Sequence, residues 1–259
     1  MIRGIQMPRR PRIEYPGYHH IINRGVARGN IFLKDDDFIK FLEILEHTSK
    51  IYTFKVHSLC LMTNHYHLLI ETKSENLSLL ARQINSKYAQ YFNKEYKRVG
   101  PLWQGRFKSW FVHDENYLGA LVSYIEQNPI KANIAQGIGE YKWSASTLLF
   151  DNKFEKLLEN SILNDKIIFA SLTKLLKESE IATLQKHMNV KYKRSEEGLI
   201  IQKQKALLKH FKKIKNLKDR NEKIILALND GYTQGEVGRY LGVTSGLISQ
   251  IKNGYKLNT

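Results

Sequence analysis

The sequence holds a single cysteine, Cys60, among 259 residues. One thiol excludes an intrachain disulfide framework and any zinc finger built on cysteines, and it suits a reducing, cytoplasmic compartment. No stretch approaches the roughly 18 uncharged apolar residues of a membrane span. The first twelve residues are basic, with no apolar segment behind them, so a secretory leader is not expected. Acids are scarce as well: 25 Asp and Glu stand against 41 Lys and Arg, a formal net charge of +16. That imbalance favours a polyanionic partner, most simply nucleic acid. A membrane surface is the weaker match, because no amphipathic Lys/Arg helix with Trp or Phe on its other side stands out. What is present is ample apolar material. At 42% hydrophobic and 25% charged, the chain can build one large domain or two ordinary ones.

Three segments follow from the residue pattern. Residues 1–148 are rich in aromatics and histidine, with turns marked by glycine. Residues 149–220 are basic, read as helical and have almost no Gly or Pro; they form a linker or accessory segment. Residues 221–259 form a compact helical unit. In the first segment, Tyr18 to Asn23 is β-prone and is stopped by Arg24-Gly25. Asp35 to Tyr52 has helical spacing (Phe38, Phe41, Leu42, Leu45) behind three acids. Phe54–Met62 and His65–Thr72 read as strands joined at Thr63-Asn64. Leu77 to Tyr91 is helical, Phe107 to His113 a strand, and Asp114 to Gln127 a helix with Asp114 as its N-cap. The order β-α-β-β-α-β, then a helix, is the ferredoxin-like order. It predicts an α+β fold: an antiparallel sheet with helices on one face, followed by an all-α C-terminal region.

Two short stretches carry chemistry. In Asn64-His65-Tyr66-His67-Leu68-Leu69, strand alternation sends His65 and His67 to one face and Tyr66 to the other, toward a core. Two imidazoles so spaced can ligate one divalent ion, although His-x-His on a half-buried strand also arises as a plain surface pair. In Tyr124-Ile125-Glu126-Gln127-Asn128-Pro129, helical spacing puts Tyr124 and Asn128 on one face. A core tyrosine followed by a helix-ending Asn-Pro is the alternative. Together the pieces suggest a reaction. A phenol, with a free pKa near 10, attacks a phosphodiester when a cation polarises the phosphate. Two His and an amide oxygen suit Mn²⁺ as well as Mg²⁺.

At these residues the chain resembles a known family. His65-Tyr66-His67 is similar to the His-hydrophobic-His motif of the HUH single-tyrosine transposases. With Trp103-Gln104-Gly105-Arg106-Phe107 and the Tyr124 stretch, it resembles more narrowly the REP-associated tyrosine transposases of the IS200-like superfamily. The resemblance spans about Arg12 to Ser146. It implies a DNA transposase acting on single-stranded or hairpin DNA, with Tyr124 as nucleophile forming a 5′-phosphotyrosine link. It also implies a divalent metal ion, Mg²⁺ or Mn²⁺, held by His65, His67 and Asn128, with Gln127 as the substitute for Asn128. A non-catalytic, domesticated DNA-binding regulator is the alternative.

Further residues need separate weighing. Arg106 and Lys108 alternate with Phe107 and are candidates for phosphate contact. His19 and His20 lie on the first strand near the expected sheet centre, where a hydrogen-bonded structural role is the expectation and an approach of one of them to the site is the alternative. Tyr88, Tyr91, Trp103 and Trp143 read as packing residues. The run from Lys203 to Arg220 fits a solvated helix face or a phosphate contact equally. From Tyr232 to Gly254, Val237, Gly238 and Leu241 fit the inner face of one helix, Gly242 a turn, and Ile248 and Ile251 a second helix, with Ile225 and Leu226 on a supporting helix before them. That pattern resembles a helix-turn-helix, which would expose Ser245, Ser249, Gln250 and Lys252 to duplex DNA. A monomer suits one catalytic tyrosine with its own duplex-binding tail.

Overall fold

The computed structural model describes residues 12–151, 153–171, 175–188, 192–195, 198–201, 207–230, 232 and 234–256. The chain divides into two compact units, Met1–Asn189 and Val190–Thr259.

The first unit is built on a four-stranded antiparallel sheet: β1 (Gly17–Arg24), β2 (Phe54–Met62), β3 (His65–Thr72) and β4 (Lys108–Val112), in the order β2-β3-β1-β4. Helix α1 (Asp35–Tyr52) connects β1 to β2, and α2 (Leu77–Glu95) connects β3 to β4. The predicted βαββαβ order and antiparallel sheet are both present.

Helix α1 starts where the acids are. The buried Asp37 carboxylate reaches back to accept the backbone N–H groups of Leu33 (2.7 Å) and Lys34 (3.1 Å), donors that no helical carbonyl could satisfy. It also accepts the hydroxyls of Tyr91 and Tyr96, at 2.9 and 2.8 Å, which ties α1 to the end of α2. Thr53, in the left-handed conformation at φ +51°, ends α1 and turns the chain into β2. Along α2, Leu77, Leu80, Ala81, Ile84, Tyr88 and Phe92 recur at helical spacing and are buried. Between β1 and α1, the backbone of Gly25, Ile31 and Phe32 hydrogen-bonds the Thr63-Asn64 turn. Position 25 accepts only glycine, because a Cβ there would lie 2.2 Å from the carbonyl oxygen of Gly29.

Tyr66 of β3 meets Phe41 of α1 and donates to Asn85 of α2, so α1 and α2 cover its face of the sheet. Trp103 donates to the Asn85 carbonyl on the same side, and Trp143 stacks on Phe38, so both tryptophans pack as expected. The helix after β4 differs from the prediction. A 3-10 turn, Glu115–Tyr117, opens it, with Asp114 as N-cap accepting from the Asn116 N–H. Helix α3 (Leu118–Glu126) follows, then a short α4 (Asn128–Lys131). The helical path breaks at Gln127, as the Asn-Pro pair leads one to expect, and Pro129 lies in the first turn of α4, where its missing N–H is no loss. Tyr124 of α3 meets His20 and His67, which point away from Tyr66, so α3 lies on the opposite face from α1 and α2. Helices therefore cover both faces, where the sequence pattern suggested one.

The boundary expected after residue 148 also moves. Short helices α5 (Ala145–Leu148), α6 (Glu155–Leu158) and α7 (Lys166–Ser171), then α8 (Glu178–Met188), belong to the first unit. Phe154, Leu157, Leu158, Leu163 and Leu184 are buried in its core. Burying each such side chain stabilises the fold by about 1.5–3 kcal/mol, so this stretch is structural and not a spacer.

The second unit opens with a hairpin, β5 (Tyr192–Ser195) and β6 (Gly198–Ile201), which corrects the all-α expectation. Helices α9 (Leu207–His210), α10 (Leu217–Asn229), α11 (Gln234–Leu241) and α12 (Ser245–Lys256) follow. Phe211, Ile224, Ala227, Val237 and Ile248 form its core. On α10 the buried residues are Ile224 and Ala227, whereas Leu226 is exposed. A Cβ at Gly238 would lie 2.7 Å from the Val243 carbonyl oxygen, so only glycine lets the turn close against α11. Gly242 supplies that turn at φ +68°. Among the described residues, no helix is long and apolar enough to cross a membrane.

Candidate active site

The site is assembled on the sheet face under α3. Register determines what meets there. Ile21 of β1 lies opposite Leu68 of β3, which sets His20 and His67 side by side on the other face. Their rings stack at 5.3 Å between centroids, and Nε2 of His20 lies 3.1 Å from Nδ1 of His67. Trp110 of β4 stacks on the far side of His20, at 5.4 Å. The Tyr124 ring stands edge-on to both imidazoles, 6.2 Å from His20 and 6.1 Å from His67. His65 follows the Thr63-Asn64 turn, 5.1 Å from His67 between ring centroids. The structure thus brings His65, His67 and Tyr124 together.

The imidazoles are held neutral. Burial pushes His20 down to about 3. Burial, then the nearby Arg24, pushes His65 down to about 4. His67 is driven well below the usual histidine value, first by burial and then by His20, His65, Arg24 and Lys131. A neutral imidazole is the form that ligates a metal. Burial raises the Tyr124 phenol, so it is protonated at neutral pH. The Lys131 ammonium lies 4.6 Å from the Tyr124 ring centroid.

Hydrogen bonds orient the candidate ligands. The Asn64 amide donates from Nδ2 to the Arg28 carbonyl, at 3.2 Å, which turns its Oδ1 toward Nδ1 of His65, 2.6 Å away. An amide oxygen only accepts, so Nδ1 of His65 carries the proton and Nε2 keeps its lone pair. Asn128 is oriented by the proline after it. Pro129 has no N–H to give the Ile125 carbonyl. The Asn128 Nδ2 donates there instead, at 3.0 Å, and to the Tyr124 carbonyl at 2.9 Å. Its Oδ1, the metal-binding type of oxygen, is thereby turned away from those carbonyls. Gln127 is buried, and its Oε1 accepts the Leu176 N–H at 3.2 Å. Among the described residues, no group of three His, Cys, Asp or Glu is placed to hold a metal ion. A carboxamide oxygen is a donor type that can stand beside two imidazoles. Two imidazoles and an amide oxygen fit a divalent ion of borderline hardness.

Arg106 and Lys108 line one cavity of about 280 Å³ with Asn23, Arg24, Gln104 and Trp110. Arg106 also lines a second, of about 550 Å³, beside Arg12, Arg82 and Trp103. In the second unit, Ser245 and Gln250 are exposed on α12, whereas Ser249 and Lys252 are half-buried. Sequence reasoning passed over three groups near the site. Lys131 is seven residues after Tyr124, a spacing that two helical turns bring back to the same face. Arg24 was read only as a strand stop. Trp110 carried no signal beyond its place on a strand.

Residues 14–128 match the family Transposase IS200 like. A Haemophilus influenzae protein named for the REP-associated tyrosine transposases is 22% identical over 121 residues, covering 42% of this chain and 69% of that protein. A solved REP-associated tyrosine transposase bound to a REP hairpin superposes with a TM-score of 0.46 at 15% identity, over 58% of this chain and 88% of that one. A Deinococcus radiodurans crystal structure, described as a transposase, gives 0.34 at 18% identity, over 47% and 97%. His65, His67 and Tyr124 fall within the span that matches the IS200-like transposase family, and Asn128 is its last residue.

Proposed function

We propose that the protein is a DNA transposase that cuts and rejoins single-stranded or hairpin DNA through a covalent bond to Tyr124. The observation that carries this reading is the phenol of Tyr124 set edge-on over His67, with the second neutral imidazole, His65, beside it. His65, His67 and Asn128 would hold a divalent ion, Mg²⁺ or Mn²⁺. When bound, that ion supplies Lewis-acid polarisation of the scissile phosphate.

The protein groups do the rest. Tyr124 Oη attacks phosphorus as its proton passes to solvent. The new Oη–P bond replaces the P–O3′ bond, and the departing 3′ oxygen takes up a proton. One phosphodiester is exchanged for another, so the bond can be resealed without an energy source. Burial opposes phenolate formation. The ammonium of Lys131, 4.6 Å from the ring centroid, favours the negative charge that grows there. Arg106 and Lys108 would hold flanking phosphates along the cavity they share.

Helices α11 and α12 support a second contact. Their tight turn and apolar inner faces suit a helix-turn-helix, with Ser245, Ser249, Gln250 and Lys252 on the side offered to duplex DNA. The net charge of +16 suits that partner. A monomer in the cytoplasm, at the nucleoid, is the expected state.

The test is a cleavage assay on labelled hairpin oligonucleotides from the DNA flanking the gene, with Mg²⁺, Mn²⁺ or EDTA. A denaturant-stable protein–DNA adduct is expected with metal, lost with EDTA and absent in Tyr124→Phe, while DNA binding persists. An adduct in the Phe variant would overturn the nucleophile. Duplex binding without any adduct, indifferent to EDTA, would replace the enzyme by the regulator.

A further inference from the structure

The site contains one histidine that the ligand set does not use. His20 is fully buried, stacked between Trp110 and His67. Its Nε2 lies 3.1 Å from Nδ1 of His67. Its other nitrogen, Nδ1, is buried with no hydrogen-bond partner among the described residues. The neighbouring His19 is engaged quite differently, with its Nε2 on the Tyr15 carbonyl, 2.8 Å away.

A hydrogen bond between two neutral imidazoles needs one N–H and one lone pair, and two arrangements meet that need. If His20 donates, His67 holds its own proton on Nε2, and that nitrogen cannot ligate a cation. If His67 donates from Nδ1, its Nε2 is bare and His20 holds its proton on Nδ1. The pair therefore behaves as one unit. His65 has no such freedom, because Asn64 fixes its Nδ1 as the donor.

We infer that His20 is a positioning residue that presents His67 to a divalent cation, accepting the His67 Nδ1–H so that Nε2 faces the site with its lone pair. The inference rests on the proposed ligand role of His65 and His67. His20 touches neither cation nor DNA. The hydrogen bond orients the His67 ring, with the two ring planes 20° apart, and Nε2 of His20 selects the tautomer. With Nδ1 of His20 unpartnered among the described residues, none of them competes for the choice, so cation binding itself can shift the pair to the competent arrangement. Partners of this kind typically account for about 10–100-fold in metal affinity.

Three measurements on the full chain, without DNA, test this. The first is Mn²⁺ binding by titration calorimetry for wild type, His20→Phe and His20→Gln. Phe keeps an aromatic ring between Trp110 and His67 but offers no acceptor, and a loss of about 10–100-fold is expected. Gln offers an acceptor oxygen and is expected to recover most of that loss. The second is the tautomer of His67 from imidazole ¹⁵N shifts in wild type with saturating Mg²⁺, where Nδ1–H is expected. The third is Mn²⁺ binding by His65→Ala and His67→Ala. Wild-type affinity in a folded His20→Phe, equal losses in Phe and Gln, or a proton on Nε2 of His67 in the Mg²⁺ form would each overturn the inference. The wild-type NMR result decides even if the Phe variant does not fold. Undiminished Mn²⁺ binding by both alanine variants would instead overturn the ligand reading on which the inference rests.

Discussion

Successive residues of β1 and β3 face opposite ways, and the two sheet faces they form have different work. Toward α1 and α2 point Ile21, Tyr66, Leu68 and Ile70, all fully buried. Toward α3 point His20 and His67, equally buried but polar. The first face releases apolar surface from water and fixes the register. The second inherits its geometry from that register. A slip of one residue would send Tyr66 under α3 and His67 into the apolar core, so the His20–His67 pair exists only because Ile21 lies opposite Leu68. Polar groups cost stability when buried unpaired, and here the two histidines satisfy one nitrogen each by pairing with one another.

Substituting two neighbours on β3 puts the sharpest strain on this comparison. Leu68→Ala opens a cavity in the apolar layer and should cost about 2–5 kcal/mol in urea unfolding. If the variant still folds, its metal-dependent adduct formation should persist. His67→Ala should abolish the adduct at any metal concentration tested. Its stability cost should be smaller, about 1–3 kcal/mol, from leaving Nε2 of His20 without a partner. The division between the faces fails if Leu68→Ala abolishes cleavage in protein that is still folded, or if His67→Ala is the less stable of the two.

A smaller contrast separates Gln127 and Asn128, adjacent in the chain but turned to different tasks. The Asn128 amide is fixed by the carbonyls of Tyr124 and Ile125, and the Gln127 oxygen is taken by the Leu176 N–H. Asn128→Ala should weaken Mn²⁺ binding about tenfold or more, within the range expected for a lost metal-site partner. Gln127→Ala should leave Mn²⁺ affinity unchanged and instead cost about 1–3 kcal/mol of stability, by orphaning a backbone donor. The reverse pattern in calorimetry would reassign the third donor to Gln127.

Much of the first face was legible from residues alone. Three acids before an apolar period of 3.6 gave α1 its bounds, Asp35–Tyr52. Alternation about Thr63-Asn64 gave β2 and β3 theirs, Phe54–Met62 and His65–Thr72. These signals are local, so they can be read without knowing what they pack against. The site face was legible only in part. The pairing of His65 with His67 and of Tyr124 with Asn128 follows from local periods, but nothing local says which face α3 covers. Approach of His19 or His20 to the site was legible only as an alternative, because nothing local says which of the two it is, and the partner of His20 is 47 residues away. Lys131 was missed because a helix ended or kinked at Pro129 gives no period by which to place residues beyond it. Pro129 lies in the first turn of α4, which carries Lys131 back over Tyr124. In the second unit, the hairpin of β5 and β6 was hidden within a basic stretch, where strands of four residues are too short to show alternation.

The smallest expected effect compares the two adjacent histidines of β1. His19 is on the face opposite His20, packed on Phe111, and burial brings it down to about 4 from an ordinary value of 6.5. Between those two values the unfolded chain binds a proton that the folded chain refuses, so stability must fall as pH falls through that window. One such group contributes about 1.4 kcal/mol for each pH unit below 6.5. His19→Gln keeps a donor for the Tyr15 carbonyl but has nothing to protonate. Its urea-unfolding free energy should therefore drop less than that of wild type between pH 6.5 and 5, by about 2 kcal/mol. Glu126, raised by burial, acts in the opposite direction, and it acts equally in both proteins, so the difference isolates His19. Equal slopes for the two proteins would mean that the imidazole is protonated in the folded state. The Tyr15 carbonyl would then be holding an imidazolium, and the contrast between the faces would narrow to the site itself.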